Sequence, residues 1–129
     1  MVAVEEKRLY PLGSIPLEHA AVIEPLAVVQ HAIKLANIDN WADKTVLVLG
    51  GGPIGFALLL VLRAHGATNV IVSEPATLRR EQVSAYARAV IDPVKEKKVG
   101  DKCRELTSGK GVDVSLKYLC ATETDTSLT

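Results

Sequence analysis

The sequence predicts an α/β fold in which a doubly wound parallel sheet of about four strands carries helices on both faces. Three observations predict it: residues 45–49 form a continuous apolar run, a glycine-rich turn follows that run, and helical and extended patterns then alternate. Strands buried on both faces are continuously apolar, as in a parallel sheet. The alternation indicates helical crossovers between the strands, which are expected to be right-handed.

The region before the first strand predicts two helices. Residues 2–4 alternate weakly, and prolines and a glycine interrupt regular structure as far as Pro16, where a helical pattern begins. Proline lacks an amide hydrogen and disfavours helical backbone at the preceding residue. One helix is therefore predicted to end near Glu24 and a second to begin at Pro25, which places Glu24 at a kink.

The remaining elements follow from the periodicity of the apolar residues. The second helix, over residues 25–36, has one apolar face that should pack on a core: Leu26, Val29, Ile33 and Ala36. After the first strand, the pattern predicts a helix at 54–65, a strand at 70–73, a helix at 78–86, a strand at 90–91, a helix at 96–107 and a strand at 112–116.

Composition and charge narrow the classes of function. The chain has 129 residues, 48% of them hydrophobic, and its 15 basic residues balance its 15 acidic ones. We therefore expect one globular domain with no charge-driven preference for nucleic acid or a membrane surface. The longest apolar run, residues 56–62, is too short to span a bilayer, and the N-terminus does not resemble a signal peptide. These features favour a cytoplasmic protein.

A glycine motif lies between the first predicted strand and the next helix. Gly50, Gly52 and Gly55 satisfy GxGxxG. In this setting the first glycine permits a sharp turn, the second lets a pyrophosphate approach the backbone, and the third lets the helix pack closely on the sheet. Pro53 suits the first helical turn, where no amide hydrogen is needed. With Ile54, these residues are predicted to form an anion site at the helix start.

An acidic residue supports this interpretation. Glu74 follows the second predicted strand, twenty-four residues after Gly50, where a dinucleotide fold places a carboxylate that binds the adenosine ribose. A carboxylate there would repel the 2′-phosphate of NADP, so NAD is the predicted cofactor. Arg79 and Arg80 follow, and either could contact the adenosine end or belong to a solvated helix face. If either arginine contacted a 2′-phosphate, the predicted preference for NAD would be weaker.

Three segments resemble zinc-type medium-chain alcohol dehydrogenases, and the butanediol, sorbitol and threonine dehydrogenases in particular. They are AAVIEPLAV at residues 20–28 with the following His31 and Ala32, VLVLGGGPIG at 46–55, and CRELTSGKGVDV at 103–114. The resemblance extends from about residue 2 to residue 114. It implies a Rossmann dinucleotide-binding domain of an enzyme that passes hydride from a secondary alcohol or polyol to NAD while zinc polarises the alcohol oxygen.

The resemblance also suggests roles for two residues of the first helical region. Glu24 would stand at the metal side, binding zinc or lying just beyond it, and the alternative is an acid that stabilises the start of the next helix. Val28 lies one helical turn later on the same face and would line the nicotinamide end. The alternative for Val28 is an ordinary core valine.

The resemblance implies a division of the chain and a limit on its chemistry. Residues 1–15 would be the end of a GroES-like catalytic domain, and residues 16–129 a partial Rossmann domain. The zinc ligands of the family belong to that catalytic domain, so zinc is doubtful in this chain and the isolated chain is expected to be inactive. Residues 116–120 depart from the family pattern, which leaves the nicotinamide contacts there in doubt.

The cysteines and histidines do not suggest a metal site. Cys103 and Cys120 lack the spacing of a zinc knuckle or a redox pair and are expected to be small buried side chains. His19 and His31 lie in apolar helical segments without companion ligands at a suitable spacing, so we expect them to be packed or partly exposed.

Two other functions remain open. One is a stand-alone module that binds NAD or a partner without chemistry. The other is an S-adenosylmethionine-dependent methyltransferase, which also has an acid after its second strand, although Pro53 and the glycine spacing argue against it. A sheet that ends at its fourth strand would expose an edge, which predicts either low solubility or self-association into a homo-oligomer.

Overall fold

A computed structural model describes residues 3–118 of the chain as a four-stranded parallel sheet with helices packed against it. A 3-10 turn at Glu6–Arg8 comes first. The elements that follow are α1 (Leu17–Ala20), α2 (Ile23–Leu35), β1 (Thr45–Leu49), α3 (Pro53–Ala64), β2 (Asn69–Ser73), α4 (Thr77–Ser84), β3 (Ala89–Ile91), α5 (Val99–Leu106) and β4 (Val114–Lys117). The predicted fold class is confirmed.

The strand order creates a crevice at one edge of the sheet. The order is β3-β2-β1-β4, and every pairing is parallel. In register, Leu49 at the end of β1 lies between Ser73 of β2 and Lys117 of β4. The chain first extends the sheet on the β2 side of β1 and then returns to the β4 side. Open α/β sheets bind ligands at this kind of switch point, outside the carboxyl ends of the strands.

The two faces of the sheet bury different sets of side chains. Within β1, Val46 and Val48 face the larger cluster with α2 and α3, while Leu47 faces the smaller one with Cys103 of α5. Because side chains alternate along a strand, this division shows that β1 is covered on both faces. The predicted face of α2 is confirmed, with Val29 and Ile33 buried, and Cys103 is a buried thiol as expected. Cys120 lies outside the described residues.

The predicted helix boundary at Pro25 is wrong. The first two helices are separated at Ala21 and Val22, and Pro25 lies inside the first turn of α2. The amides of a helix's first turn have no intrahelical acceptor, so proline removes no hydrogen bond there. The first backbone bond into this turn joins the Leu26 amide to the Val22 carbonyl over 3.1 Å. Glu24 is therefore a first-turn residue and does not lie at a kink.

Other departures are small and lie at the ends of elements. Residues 3–5 belong to no strand, although a weak alternation begins there, and residue 2 lies outside the described part. The last helix begins at Val99, three residues later than predicted. No helix among the described residues is long and apolar enough to cross a membrane.

Candidate functional site

The turn between β1 and α3 can be formed only by glycine at two positions. Gly50 has a φ of +104°, in the region that L side chains rarely adopt, and its amide donates to the Ser73 carbonyl at the end of β2 over 2.8 Å. A Cβ at Gly55 would lie 1.9 Å from the Gly50 carbonyl oxygen. Gly55 therefore allows the helix to pack against the turn itself, which refines the expected contact with the sheet.

The start of α3 presents amides without protein acceptors. The helix begins at Pro53, and the Phe56 amide donates to the Gly52 carbonyl over 2.8 Å. No acceptor among residues 3–118 is found for the amides of Gly52, Ile54 and Gly55. A Cβ at Gly52 would have a single near neighbour, Arg79 Nη1 at 3.8 Å, so the surface over this turn is open to a ligand. Unpaired amides at the positive end of a twelve-residue helix suit an anion.

The acid that follows β2 is joined to this turn. The Glu74 residue is only 2% exposed, and its Oε2 accepts a hydrogen bond from the Gly51 amide over 2.6 Å. Its Oε1 accepts one from the Ala76 amide over 2.8 Å. No cation pairs with the Glu74 carboxylate among the described residues. A carboxylate can accept about four hydrogen bonds, so each oxygen retains capacity for a hydroxyl donor.

Gly51 is a part of the site that sequence reasoning missed. A Cβ at this position would lie 3.2 Å from Cγ of Glu74 and 3.3 Å from Cγ1 of Val83, both tighter than ordinary contacts. Its amide is also the one that Glu74 binds. The available signal was that the middle residue of the run Gly50–Gly52, where GxGxxG accepts any residue, is also a glycine.

The two neighbouring arginines have different environments. Arg79 is exposed and lies beside Gly52. Arg80 is mostly buried: its Nη2 lies 2.9 Å from Asp92 Oδ2, and its Nη1 donates to the Glu74 carbonyl over 3.0 Å. The alternative of two solvated arginines is therefore wrong for Arg80, because the guanidinium closes the turn between β2 and α4.

Two cavities lie on either side of Arg79. One, of about 520 Å³, follows the carboxyl edge of the sheet and is lined by Gly50, Gly52, Glu74 and Tyr118 among others. The second, of about 590 Å³, lies between α3 and α4, where Phe56 and Tyr86 are among the residues that line it. These two rings meet edge to face with centroids 4.9 Å apart. The first cavity joins the glycine turn to the acid and is the candidate site.

Val28 and Glu24 lie away from the glycine turn. Both are exposed on α2, and Val28 is connected to the cavity through Tyr118, whose hydroxyl donates to the Val28 carbonyl over 3.4 Å. His19 and His31 are also exposed. Within residues 3–118, no three side chains of the metal-binding types come together as a ligand group. The structure therefore brings together the glycine turn, Glu74 and Arg79, but not Glu24.

Comparisons with known proteins agree with this geometry. The profile of a family described as zinc-binding dehydrogenase matches residues 53–129. The (R,R)-butanediol dehydrogenase of Neisseria gonorrhoeae is 38% identical over 119 residues, which are 90% of this chain and 32% of that protein. The L-threonine 3-dehydrogenase of Pyrococcus horikoshii is 40% identical over 106 residues, or 81% of this chain and 29% of the relative.

A solved structure shares both sequence and fold. A zinc-binding dehydrogenase from Sinorhizobium meliloti, bound to NADP, is 34% identical with a TM-score of 0.63, over 81% of this chain and 30% of that one. The chain thus spans about a third or less of the length of each of these three proteins. The family profile covers more than half of the chain, and the solved relative shares its fold. The chain belongs to the zinc-binding dehydrogenase family.

Proposed function

We propose that this chain holds NAD as part of an oxidoreductase that transfers hydride between a secondary alcohol or polyol and the cofactor. The proposed binding residues are Gly50, Gly52, Pro53, Ile54, Gly55, Glu74, Arg79 and Val28. The observation that carries the proposal is the contact between Glu74 and the Gly51 amide over 2.6 Å. It joins the acid that we propose binds the ribose to the turn that we propose binds the phosphates, and both line one cavity.

The residues of the turn fit a dinucleotide. The free amides of Gly52, Ile54 and Gly55 would donate to the pyrophosphate, and the absence of a Cβ at Gly52 leaves room for it. The remaining acceptor capacity of Glu74 would take the ribose hydroxyls. Arg79 forms no ion pair among the described residues and lines the same cavity, so its charge is available to the adenosine or phosphate end.

The preference for NAD over NADP depends on charge. A 2′-phosphate on the ribose would lie against the Glu74 carboxylate, which has no cationic partner among residues 3–118. Arg79 lines the same cavity, and its positive charge would partly offset this repulsion. One solved relative is bound to NADP, so the family name alone does not decide the cofactor. We propose NAD because two backbone amides hold the Glu74 carboxylate at the turn, whereas Arg79 is exposed and forms no ion pair among residues 3–118.

The chemistry of hydride transfer would depend on groups beyond the described residues. Bound NAD would supply the hydride acceptor, and zinc in the wider family would polarise the alcohol. Glu24 is the proposed metal-side residue of this chain, but it is exposed and belongs to no group of ligands among residues 3–118. We therefore propose that the chain binds the cofactor and does not oxidise an alcohol by itself.

The division of the chain into domains and its location in the cell are also part of the proposal. Residues 3–15 bury no side chain, whereas the core begins with α2. We propose from the family resemblance that residues 1–15 belong to a GroES-like domain and residues 16–129 to a partial dinucleotide-binding domain. We further propose, from the features of the sequence alone, that the protein is cytoplasmic.

Calorimetric titration of NAD and NADP tests the proposed site. Glu74→Gln removes the charge, and its side-chain NH2 group cannot accept the hydrogen bond that the Gly51 or Ala76 amide donates to Glu74, so we expect the affinity for NAD to fall about tenfold or more. The ratio of NAD to NADP affinity should fall as well, because repulsion of the 2′-phosphate is removed. Glu81→Gln is the matched control, since Glu81 is an exposed acid on α4 and its replacement changes the net charge equally.

Each outcome of this titration bears on the proposal. Wild-type chain that binds neither cofactor would overturn the cofactor assignment. If Glu74→Gln binds both cofactors with an unchanged ratio of NAD to NADP affinity, the proposed role of Glu74 is overturned but that of the glycine turn is not. A fall in the ratio for Glu74→Gln, together with wild-type behaviour of Glu81→Gln, would support the proposal.

A further inference from the structure

We propose that Arg80 and Asp92 are positioning residues for ribose recognition: their ion pair fixes the turn that carries Glu74, and through it the direction of the Glu74 carboxylate. The inference rests on the proposed function and adds two residues that contact no part of the candidate cavity. It stands on the hydrogen bonds that join β2, α4 and the end of β3.

The guanidinium of Arg80 binds four separate oxygen atoms. Its Nη1 donates to the carbonyl oxygens of Glu74, over 3.0 Å, and of Pro75. Its Nη2 donates to Thr77 Oγ1 over 3.0 Å and forms the ion pair with Asp92 Oδ2 over 2.9 Å. A planar guanidinium has five donors in a fixed arrangement, so one side chain can hold both carbonyls and an acid at the same time.

Asp92 is itself held from the β3 side. Its Oδ1 accepts a hydrogen bond from the Val94 amide over 3.0 Å, and its carbonyl accepts one from the Glu96 amide over 2.8 Å. The side chains of Arg80 and Asp92 are 17% and 15% exposed, which is far less than in the other ion pair that joins an arginine to an aspartate, Arg104 with Asp101. A pair that is mostly removed from water holds its geometry more firmly than an exposed pair.

The fixed backbone determines where the acid points. Arg80 holds the carbonyls of Glu74 and Pro75, the Glu74 amide donates to the Ile91 carbonyl over 3.0 Å, and the Ala76 amide donates to Glu74 Oε1. The backbone on both sides of Glu74 is therefore restrained, and its second oxygen is left facing the Gly51 amide. Loss of the ion pair would release this turn. The Glu74 carboxylate would then keep its charge but lose its fixed direction.

A purely structural role makes a different prediction from a positioning role. A loss of stability alone would weaken the binding of every nucleotide to the same extent. A positioning role affects only the ligand group that the carboxylate recognises, the ribose 2′-hydroxyl. The ratio of the dissociation constants of 2′-deoxyADP and ADP separates the two, because these ligands share the adenine and both phosphates and differ in that hydroxyl.

The experiment is calorimetric titration of the 129-residue chain with ADP and with 2′-deoxyADP. For wild type we expect about tenfold tighter binding of ADP, in line with one hydrogen bond to a charged acceptor. Asp92→Asn keeps the shape and removes the charge that orients Arg80, and we expect the ratio to fall to about threefold or less. Asp101→Asn, the same substitution in the exposed pair with Arg104, should keep the wild-type ratio.

A second variant keeps the test decisive if Asp92→Asn does not fold. Arg80→Lys retains the positive charge but cannot reach both carbonyls and Asp92 together, so it should also lower the ratio. Far-ultraviolet circular dichroism and a thermal melt establish which variants are folded. A folded Asp92→Asn or Arg80→Lys with the wild-type ratio would overturn the positioning role. Failure of the wild type to bind ADP at all would instead overturn the proposed function.

Discussion

The two sides of the crevice differ in how firmly the chain holds them. On the β2 side, Glu74 is buried and bonded to two amides, and the turn that carries it is held by the Arg80 guanidinium. On the β4 side, Tyr118 reaches only a 3.4 Å bond to a carbonyl of α2, and β4 has a neighbour on one side alone within residues 3–118.

This difference separates recognition from reaction. The groups suited to bind an adenosine diphosphate are packed and hydrogen-bonded on the β2 side. The groups that the family resemblance assigns to the reacting end, Glu24 and Val28, are exposed on α2 and do not form part of a closed site among the described residues. The contrast supports the proposal that this chain binds the adenosine half of the cofactor, whereas residues 3–118 offer no comparable set of fixed contacts for the reacting half.

The largest expected effect comes from breaking the glycine turn. Gly55→Ala would place a Cβ 1.9 Å from the Gly50 carbonyl oxygen, and the contact is with backbone, which cannot give way cheaply. We expect the free energy of unfolding to fall by about 3 kcal/mol or more, with loss of NAD binding. Urea denaturation followed by tryptophan fluorescence measures it, since Trp41 is buried in the core.

A second glycine supplies the control for this substitution. Gly100 lies in α5, where a Cβ would meet nothing within 4 Å. Gly100→Ala should be neutral or stabilise the chain by about 0.5 to 1 kcal/mol, because alanine is the better helix residue. Equal losses in the two variants would show that the close contact at Gly55 is not what the turn requires.

The next effect concerns the edge of β4 that has no neighbouring strand among residues 3–118. We propose that this edge pairs with a second copy of the chain, so the weight-average mass of the wild type should rise with concentration in light scattering. Ser115 is exposed on β4, and Ser115→Lys should reduce this association because a charge on an edge strand opposes pairing. Ser14→Lys, outside the sheet, adds the same charge as a control. A wild type that stays monomeric at high concentration would contradict the edge pairing.

The smallest expected effect is a pH dependence of the free energy of unfolding, caused by Asp113 just before β4. The Thr45 amide donates to Asp113 Oδ2 over 2.8 Å, and this hydrogen bond, with nearby Lys110, lowers the pKa of the Asp113 carboxyl. Because the folded-state pKa is depressed, the contribution to stability is present above the unfolded-state pKa, about 4, and is lost as pH falls through the folded value.

Replacement of the aspartate isolates that contribution. In Asp113→Asn, the loss of stability between pH 5 and pH 3 should be slightly shallower than in the wild type, as read from urea midpoints at each pH. Asp43→Asn offers a comparison, because Asp43 is an exposed acid outside the sheet. An acid dependence that is the same in wild type and Asp113→Asn would show that the carboxylate does not stabilise the start of β1.

Much of the fold could be predicted because local pattern and tertiary structure agree. The continuous apolar run of β1 is covered on both faces, as such a run indicates, and its bounds match the prediction. The boundary at Pro25 could not be predicted from the proline alone, since proline both ends helices and opens them. In the structure the helix opens before the proline: the local backbone bond from the Leu26 amide to the Val22 carbonyl places Pro25 in the first turn of α2.

The sequence predicted which residues form the candidate site, but it did not predict the contacts between them. The spacing identified Gly50, Gly52, Gly55 and Glu74 as members of one site. It could not reveal that Glu74 binds the Gly51 amide, because GxGxxG leaves that position free. It also could not separate Arg79 from Arg80, since adjacent helical residues point in different directions and only packing decides which one is buried.

One measurement tests the central claim most directly: a titration of the ¹⁵N-labelled chain with NAD, followed amide by amide in NMR spectra. A pyrophosphate on the start of α3 and a ribose on Glu74 predict that the largest shift changes fall on Gly51, Gly52, Ile54, Gly55 and Ala76. The amides of Gly109 and Gly111, in the turn before β4, should change little. Largest changes outside the glycine turn, with Gly52 and Ile54 unmoved, would contradict the account.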